Sequence, residues 1–299
     1  MARLSAIVMR ILCLAVIVWS PLALAEEQPL SASDIAWQTA IKAATSGPSD
    51  MPLGDQAILH IPPAMAFVPK AEAATLMKTW GNSTGDEFYG LVVPRSTEEY
   101  WVMTIDHTAE GYVKDDDAKN WNADDLLQSL KDGTEEQNKE RAKMGIPALD
   151  IVGWIEKPNY DASSHRLIWS LKAVDRGAAA DVAATVNYNT YALGRDGYFQ
   201  INLLTSDTTI EKEKPHARKV LTALEYKPGK RYQDFNESTD HIAEYGLAAL
   251  IGGVAAKKLG LLAVIGLFLA KFAKVILIGG AVAGGGLVKF FFGKRGNNG

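Results

Sequence analysis

Residues 183–204 read AATVNYNTYALGRDGYFQINLL and decide the fold. Two runs rich in β-branched and aromatic residues, 183–192 and 198–204, flank the turn LGRDG. An Asp-Gly pair such as Asp196-Gly197 favours a tight hairpin turn, because both residues tolerate the backbone angles that the turn requires. The stretch therefore predicts two antiparallel strands joined by a short turn.

Similar strand signals lie upstream of this hairpin. Residues 149–156 and 166–174 predict a second pair of strands, and residues 88–93 and 100–105 predict a third. Residues 47–55 are rich in Pro, Gly and Ser and predict a loop. Shorter strands are predicted at 56–61 and 111–113, and helices at 33–41, 71–80, 122–143, 211–224 and 240–249. Because short turns join neighbouring strands, we expect an α+β fold in which helices cover an antiparallel sheet.

The C-terminal stretch 245–292 is apolar almost throughout and predicts a transmembrane helix in addition to the α+β domain. Lys271 and Lys274 interrupt the run. A single tilted spanning helix is the favoured interpretation, since the summed apolar gain can exceed the cost of one or two lysines. Two alternatives stay open: residues 246–256 lie in the interface before a shorter span, or the whole segment is an interfacial amphipathic helix.

The membrane segment also offers candidate residues for packing against a partner helix. Lys271 and Lys274 share a basic stripe that extends along one side of the predicted helix. Gly280 and Gly284 form a G-x-x-x-G pair, a spacing that allows two membrane helices to approach closely. The glycines are equally compatible with the ordinary enrichment of small residues in membrane helices.

The N-terminus has the pattern of a secretory signal peptide over residues 1–25. Arg3 and Arg10 precede or border an apolar core at 11–19, and Ala23-Leu24-Ala25 is a small-residue cleavage site. Cys13, the only cysteine, lies in this segment, so the mature chain has no thiol or disulfide. A secreted domain of this size without disulfides favours the bacterial envelope.

These signals together predict the topology of a single-pass inner-membrane protein. Residues 26–238 form an extracytoplasmic, periplasmic domain, 239–258 a juxtamembrane helix, 259–292 the anchor and 293–299 a cytoplasmic tail. The outer domain carries 33 acidic against 22 basic side chains. Its acidity and its location argue against nucleic acid as a partner.

No standard catalytic, cofactor-binding or metal-binding motif occurs in the sequence. The carboxylates of 106–125 predict a solvated acidic loop, because the ligand spacing of a calcium site is missing. Asp161 and His165 lie together with two serines on one predicted turn, and Asp161 is expected to cap backbone amides there. Asp161, His165 and Arg195 remain the candidate site residues of the outer domain, and His60, His216 and His241 show no ligand spacing.

Several short motifs of the chain resemble a known bacterial family. They are Gly153-Trp154, Pro158-x-Tyr160-Asp161, His165-x-Leu167-x-Trp169, Val186-Asn187-Tyr188, Leu193-Gly194-Arg195-x-Gly197, Gly229-Lys230-Arg231-Tyr232-x-Asp234-Phe235 and Asp240-x-x-Ala243-x-Tyr245-Gly246. As a set they resemble the uncharacterised membrane-anchored proteins called domain of unknown function 2167. The resemblance implies a signal peptide, an envelope domain and a C-terminal anchor, and it implies no activity, ligand or catalytic residue.

Three hypotheses about function follow. The first is a non-enzymatic envelope module that binds another protein or an envelope polymer close to the membrane. The second is a membrane subunit that packs with a partner helix, or with a second copy of itself, through Lys271, Lys274, Gly280 and Gly284. The third is a hydrolase that uses Asp161 and His165, which the missing motifs disfavour.

Overall fold

A computed structural model describes residues 30–143, 145, 147–179 and 182–252. The predicted signal peptide and the predicted anchor, with Lys271, Lys274, Gly280 and Gly284, lie outside these residues. Within the described ranges no helix has both the length and the apolarity needed to cross a bilayer.

An antiparallel sheet of eight strands forms the centre of the domain, in the order β1-β4-β5-β6-β11-β10-β9-β8. The strands are β1 (Thr45–Ser46), β2 (Ser49–Leu53), β3 (Ala57–Ile61), β4 (Met65–Pro69), β5 (Phe88–Pro94), β6 (Val102–Thr108), β7 (Tyr112–Lys114), β8 (Leu149–Asp161), β9 (Arg166–Asp175), β10 (Thr185–Leu193), β11 (Tyr198–Ser206), β12 (Leu224–Tyr226) and β13 (Ile242–Gly246). The helices are α1 (Ala32–Ala43), α2 (Lys70–Thr79), α3 (Ala123–Lys143), α4 (Ile210–Thr222) and α5 (Ala249–Gly252).

The two faces of the large sheet are covered by different elements. On one face, here called the α4 face, Met103, Ile105, Ile201 and Leu203 pack against α4 and against the small sheet β12-β3-β2. On the opposite face, α1 and α2 cover the β4–β5 end, where Leu91 is fully buried. Helices α3 and α5 cover the β9–β10 end of that same face. The fold is therefore α+β with helices on an antiparallel sheet, as the sequence predicts.

The predicted hairpins are confirmed with small shifts at their ends. β10 pairs with β11 from Thr185 opposite Ser206 to Leu193 opposite Tyr198, without a register shift. β8 with β9 and β5 with β6 also pair antiparallel. Helix α1 begins at Ala32, one residue earlier than expected, and the side chain of Ser31 caps it.

Two local predictions are wrong. Residues 47–55 do not form a loop throughout, because β2 pairs with β3, and β2 lies at a sheet edge where Pro52 is tolerated. Residues 240–249 do not form a helix, because β13 pairs in parallel with β7 instead. The folded domain continues through Gly252, since Leu247, Leu250 and Ile251 are buried in its core. A juxtamembrane helix over residues 239–258 is thus not what the described part shows.

Replacing Gly197 tests the β10–β11 turn. Its φ is 148°, and an added Cβ would lie 1.9 Å from the carbonyl oxygen of Thr108. We expect Gly197→Ala to lower the free energy of unfolding by at least about 2 kcal/mol. The matched control is Gly177→Ala, where φ is 82° and no heavy atom lies within 4 Å, so that only about 1 kcal/mol of backbone strain is expected. Urea unfolding of both variants measures the difference, and equal losses would contradict the assignment.

Candidate functional site

Two sequence-predicted turns lie side by side at one end of the large sheet. The β8–β9 turn carries Asp161 and His165, and the β10–β11 turn carries Arg195. The backbone N–H of Leu193 donates to the carbonyl of His165 at 2.9 Å. A later segment, residues 229–240, crosses both turns, because Gly194 bridges to Arg231 and the N–H of Arg195 donates to Lys230. We call this region the turn cluster.

Arg195 binds the crossing segment, residues 229–240, to the β10–β11 turn. Its guanidinium donates two hydrogen bonds to the carboxylate of Asp240, at 2.6 and 2.7 Å, and a third at 3.2 Å to the carbonyl of Gly229. The Arg195 guanidinium lowers the pKa of the Asp240 carboxyl below its usual range. Because a forked arginine–carboxylate pair is both strong and directional, Arg195 orients the segment and is not a free ligand for a substrate.

An aromatic stack underlies the same turns. The rings run in the order Phe235, Tyr112, Tyr232 and His165, with successive centroid distances of 3.9, 4.4 and 4.1 Å. The hydroxyl of Tyr232 donates to the carbonyl of Val113 at 2.9 Å, and burial raises the pKa of Tyr232. The stack joins three distant parts of the chain with rigid apolar surfaces.

His165 takes part in a polar chain as well as in the stack. The Tyr160 hydroxyl donates to Asp115 Oδ2 at 2.7 Å and lies 3.2 Å from His165 Nδ1. Burial lowers the pKa of His165 and raises that of Tyr160, so both side chains are neutral at pH 7. The arrangement fixes the orientation of the imidazole, and a phenol with a raised pKa is a poor proton donor at this pH.

Asp161 and His165 do not form a hydrolytic constellation. Asp161 accepts hydrogen bonds from the backbone and hydroxyl of Ser163 and from the hydroxyl of Ser164. These bonds lower the pKa of Asp161 to about 2. The imidazole faces Tyr160 instead of either serine. The turn capped by Asp161 that the sequence predicts is present.

The predicted acidic loop has a structural role at the adjacent chain segment. Asp117 accepts the backbone N–H groups of Leu247 at 3.1 Å and Ala248 at 2.9 Å, just before α5. Together with β7–β13 pairing and the Arg195–Asp240 pair, these bonds hold the last described residues against the domain. We call these three sets of contacts the C-terminal clamp. Across the ranges that the structure covers, no group of three or more His, Cys, Asp or Glu side chains is arranged to hold a metal ion.

The turn cluster and the clamp lie within the range that a family model matches. That model, described as a protein of unknown function (DUF2167), matches residues 45–281. The chain belongs to the DUF2167 family. A search of curated proteins finds no match for this DUF2167 chain. Among solved structures, the solution structure of cyanobacterial PsbP (CyanoP) from Synechocystis sp. PCC 6803 is similar at 9% identity and a TM-score of 0.36, covering 62% of this chain and 91% of that one.

The sequence motifs include some residues of the turn cluster but do not reveal their contacts. Tyr160, Tyr232 and Asp240 appear in these motifs, but neither the ring stack nor the Arg195 pair is visible from spacing. Asp115 and Asp117 were assigned to a solvated loop. No local signal in that loop indicates that Asp117 accepts backbone N–H groups about 130 residues away.

His165 and His60 of this DUF2167 protein should have pKa values shifted in opposite directions from the usual value. His165 should have a pKa below 6.5 because it is partly buried. His60 should have a pKa above 6.5, because Asp50 and Glu225 accept hydrogen bonds from its ring. Titration of the imidazole NMR signals, assigned with His165→Gln and His60→Gln, measures both midpoints. A His165 midpoint at or above that of His60 would contradict the burial of its ring.

Removing one carboxylate should loosen the C-terminal clamp. Asp117→Ala leaves two backbone N–H groups without their acceptor, and we expect about 1–3 kcal/mol of lost stability. Limited proteolysis should then cut residues 240–252 faster than in the unmodified chain. The neighbouring exposed carboxylate provides the control, and Asp116→Ala should leave the cleavage rate unchanged. Equal rates in all three proteins would show that the clamp does not depend on Asp117.

Proposed function

We propose that this DUF2167 protein is a membrane-anchored binding module of the bacterial envelope that has no enzymatic activity of its own. The observation that supports the proposal is the C-terminal clamp. It fixes residues 240–252 to the domain a few residues before the predicted anchor at 259–292. A module that binds near a membrane benefits from such a fixed connection, because the connection limits the orientations that the domain can adopt.

The length of the connection adds to this proposal. Residues 253–258 separate the clamped segment from the predicted span at 259–292. Even when fully extended, six residues reach at most about 20 Å. The turn cluster and the clamp therefore belong to the end of the domain that faces the bilayer surface, with the body of the domain in the periplasm and residues 293–299 in the cytoplasm.

A binding role is favoured over a catalytic role by the way the polar groups at the turn cluster are used. Asp161, Arg195 and Asp115 each bond to other groups of the chain, and these bonds fix backbone segments or rings. An active-site nucleophile needs a base within hydrogen-bond reach, whereas His165 is held by Tyr160. The partner on this proposal is another envelope protein, or a second copy that pairs through Lys271, Lys274, Gly280 and Gly284.

Topology mapping tests the anchoring part of the proposal. One reporter that works only in the cytoplasm and one that works only outside it are inserted after Gly252 and after Gly299 in the full chain. Position 252 is chosen because it is the last residue that the structure describes, whereas Ser238 precedes β13, so an insertion there would interrupt the folded domain. We expect opposite sides for the two positions. The same side for both would reject a single-pass anchor.

Capture of partners tests the binding part. The tagged full chain is cross-linked in cells, solubilised and purified, and its partners are compared with those of a Lys271→Leu, Lys274→Leu variant. A partner retained by both proteins supports binding through the periplasmic domain. A partner lost only from the variant supports pairing through the membrane segment instead. Recovery of nothing but the chain itself, as a monomer, would reject the binding module.

A further inference from the structure

Helix α3 packs on the domain with two different kinds of side chain. In its first half, Leu126 and Leu130 are buried in the apolar core. In its second half, the buried side chains are polar, and they belong to Thr134, Asn138 and Arg141. The two halves of one continuous helix are therefore held to the domain by different forces.

Hydrogen bonds hold the second half of α3, residues 134–143, near the start of β8. The side-chain amide of Asn138 accepts from the backbone N–H of Leu149 and donates to its carbonyl, both at 2.8 Å. The Nε–H of Arg141 donates to the carbonyl of Pro147 at 2.7 Å. Because β8 is the last strand in the order of the large sheet, the Asn138 amide takes the place at this edge where the peptide groups of a further strand would bond.

The two halves differ in what their separation from the domain costs. Pulling a buried leucine away exposes apolar surface to water, whereas water replaces the hydrogen bonds of a polar contact at a small net cost. The ion pair between Glu135 and Arg176 adds little, because both side chains are about half exposed. The second half of α3 is therefore easier to detach than the first.

The second half also keeps internal support when it is detached. Glu136 pairs with Lys139, and Glu140 pairs with Lys143, each three residues apart on the helix. Such pairs stabilise a helix without contacts to the rest of a domain. Gly133 lies directly before this segment, and glycine favours the helical conformation less than any residue except proline. The helix is thus weakest at the point where its contacts change from apolar to polar.

We infer that residues 134–143 form a strap that opens as a unit at Gly133 while the first half of α3 stays packed. In the closed state, Asn138 occupies the backbone groups of Leu149 at the outer edge of β8. In the open state these groups are free, and an extended segment of another chain can pair with a free strand edge. The strap therefore controls access to this edge at Leu149. It is a property of the folded domain and does not depend on the binding role proposed above.

Hydrogen exchange of the full chain, read at single residues by mass spectrometry, tests the strap. The N–H of Leu149 is the diagnostic group, because Leu149 lies in the sheet while its acceptor lies on the strap. We expect this N–H and the amides of residues 138–143 to share one protection factor, at least about tenfold below that of residues 127–132. Ordinary fraying of the helix end would instead give protection that falls steadily towards Lys143 and does not involve Leu149.

Two adjacent amide side chains provide matched variants. Asn138→Ala leaves the N–H and carbonyl of Leu149 without partners in the closed state, so the amides of residues 139–143 should exchange at least about tenfold faster. Gln137→Ala is the control, because the Gln137 side chain has no hydrogen-bond partner among the described residues, and its exchange rates should match those of the unmodified chain. In both variants, residues 127–132 should keep their protection.

A third variant, Gly133→Ala, tests the position of the hinge. Alanine favours an unbent helix over glycine, so exchange of the strap should become about fivefold slower. An unchanged rate would overturn the opening at Gly133.

Three further results would overturn the strap itself. The first is equal protection of the two halves of α3. The second is a protection factor of the Leu149 N–H that differs from that of residues 138–143. The third is an acceleration by Asn138→Ala that is equal in both halves.

Discussion

The unbroken hydrogen-bond ladder between β10 and β11 is the constraint on which the rest of the domain depends. It fixes which side chains face α4 and which face the opposite layer over the whole length of both strands. Because side chains alternate along a strand, a slip of one residue would exchange the apolar Ile201 and Leu203 with the polar Gln200 and Asn202. The tight turn at Gly197 fixes this register. The same turn places Arg195 against the crossing segment, residues 229–240.

The parts of the fold that local patterns determine could be predicted from the sequence. The three hairpins and helices α2, α3 and α4 depend on alternation, helical periodicity and turn residues, all within a short stretch. Strand β13 could not be predicted in this way, because its partner β7 lies far away in the sequence and its own residues have helical spacing. The Asp117 bonds to Leu247 and Ala248 join groups about 130 residues apart and were invisible for the same reason.

The candidate residues were predicted as types and positions but not as contacts. Asp161 was expected to cap a turn and does so, whereas Arg195 was known only as part of a motif. The buried polar face of β11, with Gln200 and Asn202, shows a further limit of sequence patterns. Alternation of polar and apolar residues in β11 ordinarily indicates one face in solvent, yet Asn202 is fully buried. Burial of the polar face depends on layers contributed by distant parts of the chain, which no local pattern encodes.

The parallel pairing of β13 with β7 has a consequence for the order of events during biosynthesis. Strand β7, near residue 112, pairs with β13, near residue 242. Closing so long a loop is slow, because its entropic cost precedes any gain in contacts. A chain delivered N-terminus first therefore completes this strand pair only when β13 emerges. On the proposed topology, that moment coincides with the arrival of the apolar anchor at the membrane. On that topology, folding of the domain and its attachment to the membrane occur at the same stage of biosynthesis.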